Sequence, residues 1–454
     1  MANLSPSQRA KLEALWRSMP ESMRANLQAT TKAAAANDPA SAMLNGIFAD
    51  LELSMRKPAG DLAKAYILSP LRPMVGDSDL VPPSRYRFST EDLSKIWGWM
   101  GRHIAKEMVE TAKKCKQPES DPIWLDFRRK AGDALADAVH KADRVPKDMT
   151  ALLKRFGPDG RAMLADATVL LQNCEAIGTA MAELPEEIED FNDDLSLRVM
   201  QLHEEMVDSN SEAALWVLLL TMGRLVHPWQ IFRVVKRIGR QDDDLMVQKT
   251  ELAAIGDSVL GDTGFFAARL KQPPQTLEEA KASYLVFDRF VAFSMGMTQE
   301  FGIRKDGRWG RSLFGLRAEA STNVEKILAK VPLALDAGLP EPRRGRSGRV
   351  IPAQIPQEAA IDKAEGLLYF LGRCREHATA AAIASTQKRY ADIAEKRMQE
   401  AGEMLVDLVA SSEGQNRTTA QDGLEITARL MEAAGLGEPA SLLRRRGVAA
   451  ADAA

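Results

Sequence analysis

The chain has 454 residues, of which 27% are charged and 45% apolar or aromatic. That is the composition of a folded globular protein and excludes a largely disordered one. Lys and Arg number 60 against 63 Asp and Glu, a net charge of -3, which excludes a surface that tracks nucleic acid over its whole extent.

Helix signals recur along the chain. Ser5-Pro6 opens a helix that carries Leu12, Leu15, Trp16 and Met19 at helical spacing. Pro20 and Asp38-Pro39 open two more. The first residues carry no apolar h-region, so no secretory signal is expected. From about 69 to 89, Pro70, Pro73, Pro82 and Pro83 forbid a regular helix. Ser89 and Thr90 then cap a helix predicted to run to about Cys115, with Glu91 and Asp92 in its first turn. Further helices are predicted over roughly 122–140, 161–182, 186–207, 211–225, 229–237, 243–270, 277–301 and 310–337. The most apolar stretch, Ala213 to Met222, is about half the length a membrane span needs. Strand patterns are nearly absent.

Residues 338–356 are dense in Pro, Gly and Arg and read as a basic linker. Beyond it, helices over about 357–377, 386–410 and 419–434 read as a three-helix bundle. The expected fold is therefore all-α. It comprises a large helical domain over 1–337, the linker, a C-terminal bundle over 357–436 and a tail over 437–454 that frays.

Catalytic and metal signatures fail in turn. There is no phosphate-binding GxxxxGK[ST] loop, no HExxH and no GxSxG. No Glu stands three residues before a histidine, as a di-iron bundle requires. Cys115, Cys174 and Cys374 are too scattered for a disulfide framework or a CxxC zinc site, and are expected as thiols in a reducing cytoplasm. Asp133, Asp137 and His140 share a helix face, as do His103 and Glu107, but each reads as a solvated face. No cofactor or metal is implied. An enzyme site would have to be assembled from distant helices, with His103, His203 or His227 beside carboxylates.

Charge is distributed unevenly. Glu183, Glu186, Glu187, Glu189, Asp190, Asp193 and Asp194 form an acidic run without a base. Arg233, Lys236, Arg237 and Arg240 lie at i, i+3, i+4 and i+7, one basic stripe on a helix. The stripe reads either as a phosphate grip or as an internal partner of the acidic run. The linker carries Arg343, Arg344, Arg346 and Arg349, and Arg444 to Arg446 form a last basic cluster. The leading functional expectation is a cytoplasmic, non-enzymatic scaffold that binds a protein partner through helical surfaces and these charged patches. The alternatives are a nucleic-acid binder using the two basic segments, and an all-α enzyme.

Overall fold

The computed structural model describes residues 59–76, 86–115, 122–239, 247–344, 350–351 and 354–452, together with Met23. The predicted helices before residue 59 lie outside them. The fold is all-α, with 17 α-helices among the described residues. The first is α1 (Ala59–Ile67), followed by a 3-10 turn over Ser69–Met74 that contains Pro70 and Pro73, while Pro82 and Pro83 lie outside the described residues. Ser89 caps α2 (Thr90–Trp99), its Oγ accepting from the Asp92 N–H at 3.0 Å while Asp92 reaches back to the Ser89 N–H. Such a capping box stabilises a helix start by about 1 kcal/mol. The predicted single helix to Cys115 is interrupted by a π-turn at Met100–Ile104 and resumes as α3 (Lys106–Lys114).

Next come α4 (Pro122–Arg144), α5 (Pro146–Phe156), α6 (Gly160–Gln172) and α7 (Cys174–Ala182). The break between α6 and α7, unforeseen in the sequence, falls at Asn173. Its side-chain amide donates to the Val169 carbonyl, and its side-chain oxygen accepts from Asn210. The helix expected to start at 186 starts instead at Asp193. Asn192 caps it, accepting from the Leu195 N–H at 2.9 Å. This helix, α8 (Asp193–Arg224), joins the two predicted over 186–207 and 211–225, with one non-helical residue, Asn210, between them. A 3-10 turn at Pro228–Ile231 leads into α9 (Phe232–Gly239). Then follow α10 (Ala253–Arg269), α11 (Leu277–Glu300), α12 (Arg308–Leu328) and α13 (Val331–Gly338). Pro332, with no N–H to donate, stands where a new helix can start and divides the predicted 310–337 helix in two.

Past α13 the chain does not simply solvate. Leu339, Pro340 and Pro342 are buried, and Arg343–Arg344 pairs antiparallel with Val350–Ile351 as β1 and β2. The last helices are α14 (Glu358–Cys374), α15 (Ala384–Ser411), α16 (Gly414–Ala433) and α17 (Gly437–Asp452). The expectation that residues past 437 fray is corrected by α17, which buries Ala440, Leu443 and Gly447. Burying even small side chains against α15 and α16 holds a terminal helix that its own propensity would not.

Among the described residues the main apolar core runs from Ala63 to Leu443, with a small second cluster of Leu408, Val409 and Ala420. α14 packs against α11, α13 and α16. Its approach is close: a β-carbon at Gly366 would stand 2.6 Å from the Thr276 carbonyl oxygen, and one at Gly372 2.7 Å from that of Ala434. Ion pairs joining distant segments are mainly arginine's. Arg87 grips the buried Asp262 of α10 through two contacts of 2.6 and 2.8 Å. Arg429 of α16 holds Glu358, Asp362 and Glu365 along α14, and Arg397 of α15 joins Asp336 and Glu341. Lysines instead pair largely within one helix, as in Lys95–Glu91, Lys130–Asp126 and Lys281–Glu278.

The close approach at α14 sets a pair of expected outcomes in thermal or urea denaturation. Gly366→Ala forces a methyl group onto a backbone oxygen and should cost about 1–3 kcal/mol. Gly178→Ala, at an exposed position in α7 with nothing within 4 Å, should add about 0.5–1 kcal/mol through helix propensity.

Candidate interaction surface

The acidic run lies on an irregular segment between α7 and α8, with Asp193 and Asp194 in the first turn of α8. Leu184, Ile188 and Phe191 point inward, Phe191 with no exposed surface, while Glu183, Glu186, Glu187, Glu189 and Asp190 point outward. The segment pairs with the end of α8: the Ile188 N–H donates to the Arg224 carbonyl at 2.9 Å, and the Val226 N–H to the Ile188 carbonyl at 3.0 Å. Arg224 also closes the end of α7. Its Nη1 donates to the carbonyls of Met181, Leu184 and Pro185 at 2.6, 2.9 and 3.2 Å. Met181 lies in the last turn of α7, where a cation suits the helix dipole.

The basic stripe of α9 turns onto the same segment. Arg233 donates from Nε and Nη2 to Glu300 at 3.0 and 2.6 Å, and from Nη1 to the Phe191 carbonyl at 2.5 Å. Arg237 Nη2 meets Asp193 at 2.5 Å. Lys236 is half-buried on the same helix and is also partnered. Arg240 lies outside the described residues. The Arg233 contacts are charge-assisted and partly buried, worth about 1.5–3 kcal/mol. The Arg237 pair is worth about 0–1 kcal/mol, because Asp193 is 89% exposed. The structure thus brings the acidic run and the basic stripe together as one junction. Of the acids, Asp193 is paired with Arg237 and Glu183 with Arg198, Glu186 lies within the field of Arg224, and Glu187, Glu189, Asp190 and Asp194 stand at the surface. In the linker, Arg343 and Arg344 form β1, while Arg346 and Arg349 lie outside the described residues.

The histidines are dispersed. His103 is exposed beside Arg155, His227 lies with its ring centroid 5.0 Å from that of Trp229 at a tilt of 30°, and His140 is exposed on α4. His203 is buried on α8 with Nδ1 lacking a hydrogen bond, and burial holds its imidazole below the ordinary 6.5. The histidine that does meet a carboxylate is one the sequence reading passed over. His377 Nε2 lies 2.8 Å from Asp288 of α11. Beside it the Tyr284 hydroxyl donates to Glu376, and the Arg373 guanidinium lies 4.7 Å from the Tyr284 ring. The separation of 89 positions from Asp288 to His377 left no local spacing to find. This cluster has no activated nucleophile among its members. Burial and the Glu376 carboxylate push the Tyr284 hydroxyl up, and burial does the same to the neighbouring Cys374 thiol. Its evident role is to fasten the end of α14 to α11. Among the described residues, no three His, Cys, Asp or Glu side chains converge as a metal site. No described helix is long and apolar enough to cross a membrane.

Two outcomes follow from this geometry. Arg233→Met should leave the overall fold in place but speed hydrogen exchange in residues 186–191, since it removes the contact to the Phe191 carbonyl. His203 is held neutral in the folded chain and regains its ordinary affinity for protons on unfolding. The folded protein should therefore lose stability as pH falls below 6.5, and lose none from this source above it. Melting temperatures of wild type and His203→Leu, compared at about pH 7.5 and about pH 5.5, should show the smaller acid loss in the variant.

No protein-family model, curated protein or solved structure matches this chain.

Proposed function

We propose that this protein is a helical scaffold without catalysis of its own, which binds a basic segment of a partner protein at the acidic ledge between α7 and α8. The observation that carries this reading is the fixing of the ledge from behind. Arg224 and Arg233 hold its backbone carbonyls, and Leu184, Ile188 and Phe191 are sunk in the core. A charged surface already ordered before its partner arrives loses little conformational freedom on binding. The nucleic-acid reading has less support, because Arg233 and Arg237 face the protein's own carboxylates.

The test is a cross-linked pull-down from native-source lysate, with the full chain and the variant Glu187→Gln/Glu189→Gln/Asp190→Asn as baits. The expected result is a partner cross-linked to the ledge through its basic residues, held by wild type at low salt and lost from the variant. Capture that is indifferent to the three substitutions, or abolished by nuclease, overturns the reading.

A further inference from the structure

The final helix offers a face that the core does not use. α17 buries Ala440, Leu443 and Gly447. On its opposite side stand Glu438, Leu442, Arg445 and Arg446, which helical spacing places on one face. This face borders a groove of about 670 Å³ floored by Met431 and Leu443, with Gln399 and Glu403 of α15 on the far rim. Leu442 is 50% exposed in it. Arg444, by contrast, is turned away and held by Glu425 and Glu432. Among the described residues neither Glu438 nor Arg446 has an ion-pair partner. They cannot pair with each other, being eight residues and so about 12 Å apart along the helix axis.

We propose that this face joins two copies of this chain, with the two α17 helices antiparallel about a two-fold axis through Leu442. Charge placement is the argument. Glu438 lies four residues before Leu442 and Arg446 four residues after it. Antiparallel pairing about Leu442 therefore sets each copy's Glu438 opposite the other copy's Arg446, and Leu442 against Leu442. A parallel pairing would set like charges together. The face is thus complementary to itself when the two helices run antiparallel about a two-fold axis, which closes as a dimer. Glu403 on the rim adds a carboxylate within the same groove for an incoming arginine. Exposed ion pairs add little affinity but select orientation, while the apolar centre supplies the attraction. The association is reversible and concentration-dependent.

Sedimentation equilibrium of the full chain tests this with four species. Wild type is expected to dimerise as concentration rises. Glu438→Arg and Arg446→Glu should each weaken the dimer by about tenfold or more, since each sets like charges opposed twice across the axis. The double variant Glu438→Arg/Arg446→Glu should recover wild-type association. An equimolar mixture of the two single variants should also associate, because a copy with two arginines then meets a copy with two glutamates. Circular dichroism checks that each variant keeps its helical content. Wild type that stays monomeric throughout overturns the proposal. So does a dimer indifferent to the single reversals, or a loss that neither the double variant nor the mixture restores.

Discussion

The architecture depends on how closely α14 can lie against its neighbours. Two of its positions have no room for a side chain: Gly366 lies under the Thr276 carbonyl and Gly372 under that of Ala434. Those contacts face the start of α11 and the end of α16, so α14 meets backbone rather than flexible side chains at two points. Such packing has little capacity to relax. Its consequence is a core without a seam. Leu367, Leu368, Phe370 and Leu371 belong to the same buried cluster as Phe287 and Val291 before them and Leu430 and Met431 after them. The last four helices and those preceding them are therefore stabilised by shared surface.

Electrostatics follows the same economy of position. The near-zero net charge is an average over patches of opposite sign, and the fold sets two of those patches against each other. The bases of α9 anchor the segment that carries the acids, while Glu187, Glu189, Asp190 and Asp194 stay at the surface. Burial limits how much of this arrangement can be altered. Asp262 has no exposed surface and is met by Arg87 through two contacts. Burial raises its carboxyl, which the guanidinium opposes. Removing either member of such a pair leaves the other without compensation.

Much of the helical layout was legible from periodicity and caps. Ser89, followed three residues later by Asp92, marks a helix start, and the structure realises both halves of that box. Thr276 likewise caps α11, accepting from the Glu279 N–H. The segment over 183–192 was not legible, because Leu184, Ile188 and Phe191 recur at i, i+4 and i+7, which fits a helix as well as it fits anything. What decided against a helix was the hydrogen bonding of Ile188 to the far end of α8, a tertiary partner that no local window contains. The break at Asn173 was hidden for a related reason, since its side chain engages Asn210 across 37 residues, whereas Asn210 itself falls in the gap between the two helices predicted over 186–207 and 211–225. In α17 a signal was present, with Ala440, Leu443 and Gly447 at i, i+3 and i+7. Its buried face consists largely of small residues, which is why it resembled a fraying tail. As for function, the charged patches could be seen as patches, but their mutual engagement depends on the fold.

The division of labour between arginine and lysine has a chemical consequence. The long-range clamps at Asp262, Glu300, Asp336 and Glu365 all use guanidinium groups, while Lys95, Lys130 and Lys281 make short pairs on exposed helix turns. Acetylation acts on lysine amines and leaves guanidinium groups untouched. Acetylation of those three lysines would thus make the molecule more negative and leave these clamps in place, so that surface charge and architecture can be changed independently.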